Sequence, residues 1–151
     1  MKYNTLFGSD NWGPVNKTIL ETIVNYMCQS NPSYGEDKLS YDVLHEIVRL
    51  FDAKEAHFAA TGTGSNLICF SGSLRPGEAI VCSDCAHLMV DECGAIELAL
   101  GIKLYPIRNT HGKITANQVY KLAHQCANNY HAAKPRVITI TQPTGAEQFT
   151  H

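Results

Sequence analysis

The sequence lacks a strong excess of either charge and any long apolar run. Its 12 Lys and Arg residues against 14 Asp and Glu residues give a net charge of −2, so no basic field argues for nucleic acid or an acidic membrane as partner. No apolar stretch approaches the roughly 18 residues that a membrane span needs, and the N-terminus has no signal-peptide pattern. We therefore expect a cytoplasmic protein with small, roughly neutral partners.

Cysteine is also scarce. Six cysteines among 151 residues are too few for a small disulfide scaffold, and a cytosol would keep them reduced. Linkers, repeats and low-complexity tracts are missing as well. With 44% hydrophobic and 17% charged residues, the composition is typical of a globular protein, and the length suits one domain.

The hydrophobic pattern predicts helices that alternate with short strands. Two amphipathic helices come first, one around residues 19–27 and one over residues 41–50 with Ser40 as its N-cap. The strands predicted after them are residues 57–60, 79–82, 103–107 and 136–141, and the helices are residues 66–73, 91–100 and 116–128. This alternation predicts an α/β fold with a mainly parallel sheet and flanking helices. Met27, Leu44 and Phe58 are core residues by pattern.

The stretch AATGTGSNLICF, residues 59–70, places two glycines between a predicted strand and a predicted helix. Gly62 and Gly64 could simply allow tight packing at this turn. Alternatively, Gly62, Thr63, Gly64 and Ser65 present N–H groups and hydroxyls at a helix N-terminus, where the dipole favours a phosphate. The stretch lacks the P-loop lysine and the GxGxxG spacing, so an isolated phosphate monoester suits it better than a nucleotide.

A second group of polar residues lies in CSDCAHLMVDECGA, residues 82–95. His87 follows a predicted strand, in a loop expected at the same edge of the sheet, and is either a solvated histidine or a site residue. Cys82, Cys85, His87 and Cys93 also resemble half of a zinc site, although a lone CxxC is a weak signal. Our preferred interpretation has no metal.

Several motifs, in one order along the chain, resemble those of the threonine aldolase family. They are FGSDN (7–11), YGED (34–37), TGTGSN (61–66), LRPGEA (74–79), AH (86–87), DECGAIE (91–97), GIKL (101–104) and ITQPT (140–144). Members of this family are pyridoxal-phosphate lyases with the aspartate aminotransferase-like (type I) fold, grouped with the β-eliminating lyases. The resemblance implies that the chain forms part of the large domain of that fold.

The resemblance also implies roles for individual residues. Gly62 and Thr63 would hold the cofactor phosphate, and His87 would stack on the pyridine ring and act as a base near the substrate hydroxyl. Ser9 would help hold the substrate carboxylate, and Tyr34 would reach a site shared with a neighbouring subunit of a homo-oligomer. Asp91 and Glu92 match polar positions of the family.

For those two acidic residues we expect the simpler role of complementing a helix dipole. The implied reaction is retro-aldol cleavage of a β-hydroxy amino acid, such as L-threonine to glycine and acetaldehyde, with pyridoxal 5'-phosphate as the electron sink.

The end of the sequence departs from the family pattern. After ITQPT the chain reads GAEQFTH, and none of its eight lysines matches the family's Schiff-base position; Lys134 is expected to be a solvated loop charge. We therefore expect a truncated chain that is inactive alone, with an N-terminal arm and first helix (1–40), a partial cofactor-binding domain (41–144) and a divergent tail (145–151). A non-catalytic phosphate-binding or oligomerisation module, and a small zinc domain, remain as alternatives.

Overall fold

The computed structural model describes residues 13–141, which fall into two compact units, one ending at His57 and one beginning at Phe58. The first unit contains the helices α1 (Lys17–Met27) and α2 (Lys38–Phe51). The second contains, in chain order, α3 (Gly62–Ser73), β1 (Glu78–Ser83), α4 (His87–Val90), α5 (Ala95–Leu100), β2 (Lys103–Ile107), α6 (Ala116–Ala127) and β3 (Lys134–Ile138). The predicted segments 1–40, 41–144 and 145–151 stay predictions.

Side-chain caps define the starts of both helices in the first unit. Asn16 caps α1 and accepts a hydrogen bond from the Thr18 N–H at 2.9 Å. Asp37 caps α2, so the prediction that Ser40 is the N-cap is wrong. Ser40 lies inside the first turn of α2 and donates its N–H and its hydroxyl to the Asp37 carboxylate, at 2.9 and 2.6 Å. A carboxylate can accept both bonds at once, which makes Asp37 the better cap.

The second unit is built on a parallel sheet in which β1 is the central strand, in the order β2-β1-β3. Ile80 pairs with Leu104 on one side and with Val137 on the other. Five of the six residues of β1 are buried, whereas burial alternates along β2 in part. A continuous apolar run is expected for a strand covered on both faces. The predicted α/β fold and parallel sheet are confirmed.

The core of this unit lies between the sheet and helices α3, α4 and α5. Its buried members are Phe70, Leu74, Ile80, Cys82, Ala86, Leu88, Ile96, Ile102 and Leu104. Ile80 and Ile96 are the largest side chains with no exposed surface. The core therefore joins the sheet to the segments that carry the candidate site residues.

Strand β3 begins and ends earlier than predicted, at Lys134 rather than residue 136 and at Ile138 rather than residue 141. The shift changes the interpretation of Lys134, which is not a loosely solvated loop charge. Its ammonium donates to the carbonyl oxygens of Cys126 at 2.6 Å and Asn129 at 2.9 Å. Lys134 thus binds carbonyl groups at the C-terminal end of α6, where a cation is favourable.

Three other local predictions are wrong. Residues 57–60 form no strand, and no described strand lies beside them to pair with their backbone groups. Helix α3 begins at Gly62 instead of residue 66, so the glycine pair belongs to its first turn. The helix predicted over residues 91–100 begins only at Ala95, because Cys93 and Gly94, between α4 and α5, have φ angles of +52° and +70°.

Apolar residues of the first unit remain at the surface. Met27 is 75% exposed, and no residue of α1 or α2 is buried. Phe58, at the start of the second unit, is 56% exposed. The prediction that Met27 and Phe58 are core residues is therefore wrong, while Leu44 is half-buried.

Among the described residues, the structure contains no helix with both the length and the apolar character that crossing a membrane requires.

Candidate functional site

The start of α3 offers backbone donors. Thr61 is its N-cap, and its hydroxyl accepts from the Gly64 N–H at 3.0 Å while its carbonyl accepts from the Ser65 N–H at 2.9 Å. The N–H groups of Gly62 and Thr63 have no backbone partner among the described residues, as is usual for the first turn of a helix. Two N–H groups are thus available at the positive end of the helix dipole.

There is room for a ligand beside these donors. Apart from its chain neighbours and the backbone of α3 itself, a Cβ atom placed on Gly62 would meet no atom within 4 Å, whereas one on Gly64 would lie 3.2 Å from the Thr61 hydroxyl oxygen. Gly62 is exposed and Thr63 is half-buried. The combination of free N–H groups, a hydroxyl and open space fits a phosphate monoester such as that of pyridoxal phosphate.

Hydrogen bonds connect His87 to this helix. It is the first residue of α4, just after the carboxyl end of β1, and its side chain is 53% exposed. Its Nδ1 atom lies 2.9 Å from the Glu92 Oε1 atom. The same oxygen accepts from the Asn66 side-chain amide of α3 at 2.6 Å. The structure therefore connects His87 to the helix that begins at Gly62 and Thr63.

Glu92 does not have the predicted role of a charge that complements a helix dipole. Its side chain has no exposed surface, and its Oε1 atom binds His87 and Asn66, so it does not act as a solvated charge at the start of a helix. Its Oε2 atom is buried without a hydrogen-bond partner among the described residues. Asn66 had no predicted role, because nothing local in the sequence indicates a contact with a residue 26 positions away.

The structure does not test the roles of the two predicted substrate-binding residues. Tyr34 belongs to the unit that ends at His57 and is fully exposed, with a φ angle of +63°. Ser9 lies outside the described residues. Their roles stay predictions.

The zinc alternative receives no support from the geometry. Over residues 13–141, no group of three or more His, Cys, Asp or Glu side chains could hold a metal ion. Of the four candidate ligands, Cys82 is buried and Cys93 is exposed. Burial, together with the nearby Asp84 charge, raises the pKa of the Cys82 thiol to about 11.

Comparison with known proteins identifies the family. The beta-eliminating lyase family matches residues 7–147 of the chain. The chain belongs to the beta-eliminating lyase family.

Two curated proteins that are similar to this chain are low specificity L-threonine aldolases. The one from Pseudomonas sp. (strain NCIMB 10558) is 31% identical over 140 residues, covering 91% of this chain and 40% of the relative. The one from Pseudomonas aeruginosa is 29% identical over 140 residues, which again cover 91% of this chain and 40% of the relative. The chain thus spans 40% of the length of these curated relatives.

A solved structure described as threonine aldolase from Leishmania major has the same fold. It superposes with a TM-score of 0.79 and 27% identity, covering 88% of this chain and 39% of that chain. The parallel sheet and flanking helices are therefore part of the large domain of the type I pyridoxal-phosphate fold, as predicted. The resemblance to threonine aldolases and the beta-eliminating lyases is confirmed.

Proposed function

We propose that this beta-eliminating lyase family member acts in the cleavage of a β-hydroxy amino acid, such as L-threonine to glycine and acetaldehyde, with pyridoxal 5'-phosphate. One observation carries the proposal: a half-exposed imidazole is hydrogen-bonded, through one carboxylate oxygen, to a helix whose first two N–H groups have no backbone partner among residues 13–141. A candidate phosphate-binding element and a candidate base would then belong to one connected structure, which supports the proposal. The threonine aldolases among the relatives support the reaction class.

The cofactor-binding role rests on the start of α3. The N–H groups of Gly62 and Thr63 would donate to phosphate oxygens, and the Thr63 hydroxyl would add a third donor. The open space beside Gly62 would let the phosphate approach the backbone closely. His87 would stack on the pyridine ring.

The catalytic role belongs to His87. When bound, pyridoxal phosphate supplies the electron sink for the negative charge that develops at Cα. The neutral imidazole would accept the proton of the β-hydroxyl as the Cα–Cβ bond breaks, and glycine and the aldehyde would be the products. The 53% exposure of His87 leaves its ring accessible to a substrate.

A homo-oligomer is the proposed assembly, with Tyr34 reaching toward the site of a neighbouring subunit and Ser9 holding the substrate carboxylate. The complete exposure of Tyr34 and the exposed apolar residues of α1 and α2 support an association. Sedimentation would test this proposal, and a monomer at all concentrations would count against it.

The predicted cytoplasmic location stays a prediction.

For the 151-residue chain alone, we propose cofactor binding without turnover. The resemblance implies a cofactor-carrying lysine at a position that none of the eight lysines of this chain occupies. Lys134, for example, donates to two carbonyl groups at the end of α6. A non-catalytic phosphate-binding module is therefore the second candidate function, and the free N–H groups of α3 favour it.

The first experiment measures binding of pyridoxal phosphate by absorption, followed by borohydride treatment and intact mass. We expect binding without a covalent adduct, and an acetaldehyde assay without turnover. Gly62→Ala should weaken binding because its methyl group would enter the open space, whereas Gly72→Ala in the same helix, which also meets no atom within 4 Å, should not. Equal affinities of the two variants would contradict the phosphate site. A covalent adduct would contradict the absence of a suitable lysine.

A second experiment tests the reaction class with stable probes. N-phosphopyridoxyl-L-threonine and its 2-aminobutyrate analogue differ only by the β-hydroxyl. One hydrogen bond to His87 should favour the threonine compound about five-fold, since such bonds contribute roughly 1 kcal/mol. His87→Phe retains an aromatic ring and should remove the preference. Equal binding of both compounds to the unmodified chain would contradict the proposed role of His87.

A further inference from the structure

The buried carboxylate of Glu92 lies between two elements of the candidate site. Its Oε1 atom is 2.9 Å from His87 Nδ1 and 2.6 Å from the Asn66 amide nitrogen. We propose that Glu92 is a positioning residue that fixes the neutral His87 ring as the tautomer with hydrogen on Nδ1, leaving Nε2 as its proton acceptor. The use of Nε2 by a substrate rests on the proposed function, whereas the tautomer does not.

The donor and acceptor inventory determines the direction of these hydrogen bonds. The Asn66 amide nitrogen can only donate, so the Glu92 Oε1 atom accepts from it. An ionised carboxylate has no hydrogen to give, whereas an imidazole nitrogen can carry one. The hydrogen in the contact between His87 and Glu92 therefore belongs to Nδ1. In a neutral ring, the second nitrogen then carries the lone pair.

The position of Glu92 does not suit a packing role. Its side chain is completely buried, yet one of its two oxygens has no hydrogen-bond partner among the described residues. Burial of an ionised group with incomplete hydrogen bonding costs free energy that an apolar residue of similar size would avoid. The contact with His87 supplies the chemical reason for a carboxylate here.

The backbone also contributes to this arrangement. Cys93 and Gly94 have successive positive φ angles, and they form the turn that connects Glu92 to α5. The Glu92 carbonyl accepts from the Ala95 N–H at 2.9 Å. A left-handed conformation at Cys93 is unfavourable for a residue with a Cβ atom. The turn thus holds Glu92 in place from the backbone side, while Asn66 holds its carboxylate from α3.

The test is the tautomer of His87, measured by long-range ¹H–¹⁵N NMR of histidine-labelled chain at alkaline pH, where the rings are neutral. The His87 signals are assigned by their loss in His87→Gln. We expect the Nδ1–H form to predominate in the unmodified chain, although free imidazole side chains favour the Nε2–H form. A predominant Nε2–H form in the unmodified chain would overturn the proposal, whatever the variants show.

Glu92→Gln retains the size of the side chain but removes the charge, and we expect the Nδ1–H population of His87 to fall at least two-fold. The matched control is Asp91→Asn, at the neighbouring exposed position, which should leave the tautomer unchanged. An unchanged tautomer in a folded Glu92→Gln protein, as judged by circular dichroism, would also overturn the proposal.

A binding measurement separates this inference from the proposed function. In Glu92→Gln, the preference for N-phosphopyridoxyl-L-threonine over its 2-aminobutyrate analogue should fall from about five-fold toward one, because the ring no longer offers a fixed acceptor. If the unmodified chain has the Nδ1–H tautomer but no such preference, the proposed function fails and the positioning role of Glu92 stands. If the preference survives in Glu92→Gln, Glu92 does not position the ring for substrate.

Discussion

The two units of the chain use their apolar residues differently. The unit that begins at Phe58 buries a connected core around β1, with Ile80 and Ile96 fully inside. Helices α1 and α2 have an equally clear apolar pattern, yet Ile19 is 57% exposed and Met27 is 75% exposed. An amphipathic pattern therefore shows that a helix has a face suited to burial, but it does not show that the chain itself supplies the partner.

The largest expected effect compares one isoleucine from each unit. Ile80→Ala should lower the free energy of unfolding by about 3–4 kcal/mol, because it removes a fully buried side chain from the central strand. Ile23→Ala, at a position in α1 that is 48% exposed, should change it by less than about 0.5 kcal/mol. Urea unfolding measures both. A similar loss in the two variants would show that α1 is covered in solution.

The next prediction concerns the cation at the end of α6. Lys134→Met removes the donor to the carbonyls of Cys126 and Asn129 and should cost about 1–2 kcal/mol. Lys121→Met changes an exposed lysine of the same helix and should cost less than about 0.5 kcal/mol. Thermal unfolding distinguishes them. Equal melting temperatures would return Lys134 to the solvated charge that the sequence predicts.

Two glycines should respond with opposite signs. Gly101 has a φ angle of +61°, and a Cβ atom there would lie 3.4 Å from Pro76 Cβ, so Gly101→Ala should destabilise the second unit by about 1 kcal/mol. Gly72 lies within α3 with open space around it, so Gly72→Ala should stabilise by up to about 1 kcal/mol. Unfolding curves that shift in the same direction would contradict this distinction.

The sequence predicts best where local signals are sufficient. Strand β2 has the predicted bounds, and α6 begins at the predicted residue 116, after a complete capping box at Thr115. Residues 57–60 have a strand-like composition, but a strand also needs a neighbour, and composition cannot supply one. The turn at Cys93, which delays the start of α5, is not predicted either, because a left-handed conformation is unusual for cysteine and has no local signal.

The candidate site was predictable only in part. The glycine turn and His87 could be singled out because a helix start and a loop histidine are recognisable from sequence. The role of Glu92 was not, because it depends on contacts with His87 and with Asn66 of another helix. Local reasoning treats an acidic residue near a helix start as a surface charge, and only the tertiary structure shows that this one is buried. The roles of Gly62 and Thr63 in cofactor binding stay predictions.

The smallest expected effect is a pH dependence confined to the first unit. Hydrogen bonds from the Ser40 hydroxyl, and then from the Tyr26 hydroxyl at 2.6 Å, hold the pKa of the Asp37 carboxyl well below its usual range. Because the folded-state pKa is depressed, Asp37 stabilises the fold above its unfolded-state pKa of about 4, and this contribution is lost as the pH falls toward the folded value. The α1 and α2 amide resonances should therefore shift or broaden in acid.

The matched variants are Asp37→Asn and Glu46→Gln. The first removes the titrating carboxyl that accepts from both Tyr26 of α1 and Ser40 of α2, so its acid response should be smaller. The second removes an exposed carboxylate whose pKa is lowered by Arg49 within α2 itself, and it should leave the response of α1 intact. NMR spectra recorded from pH 7 to pH 2 test the pair. If the α1 resonances change with acid to the same extent in both variants, loss of the Asp37 carboxyl has no effect on α1. The Tyr26–Asp37 hydrogen bond would then not couple α1 to the titration of Asp37.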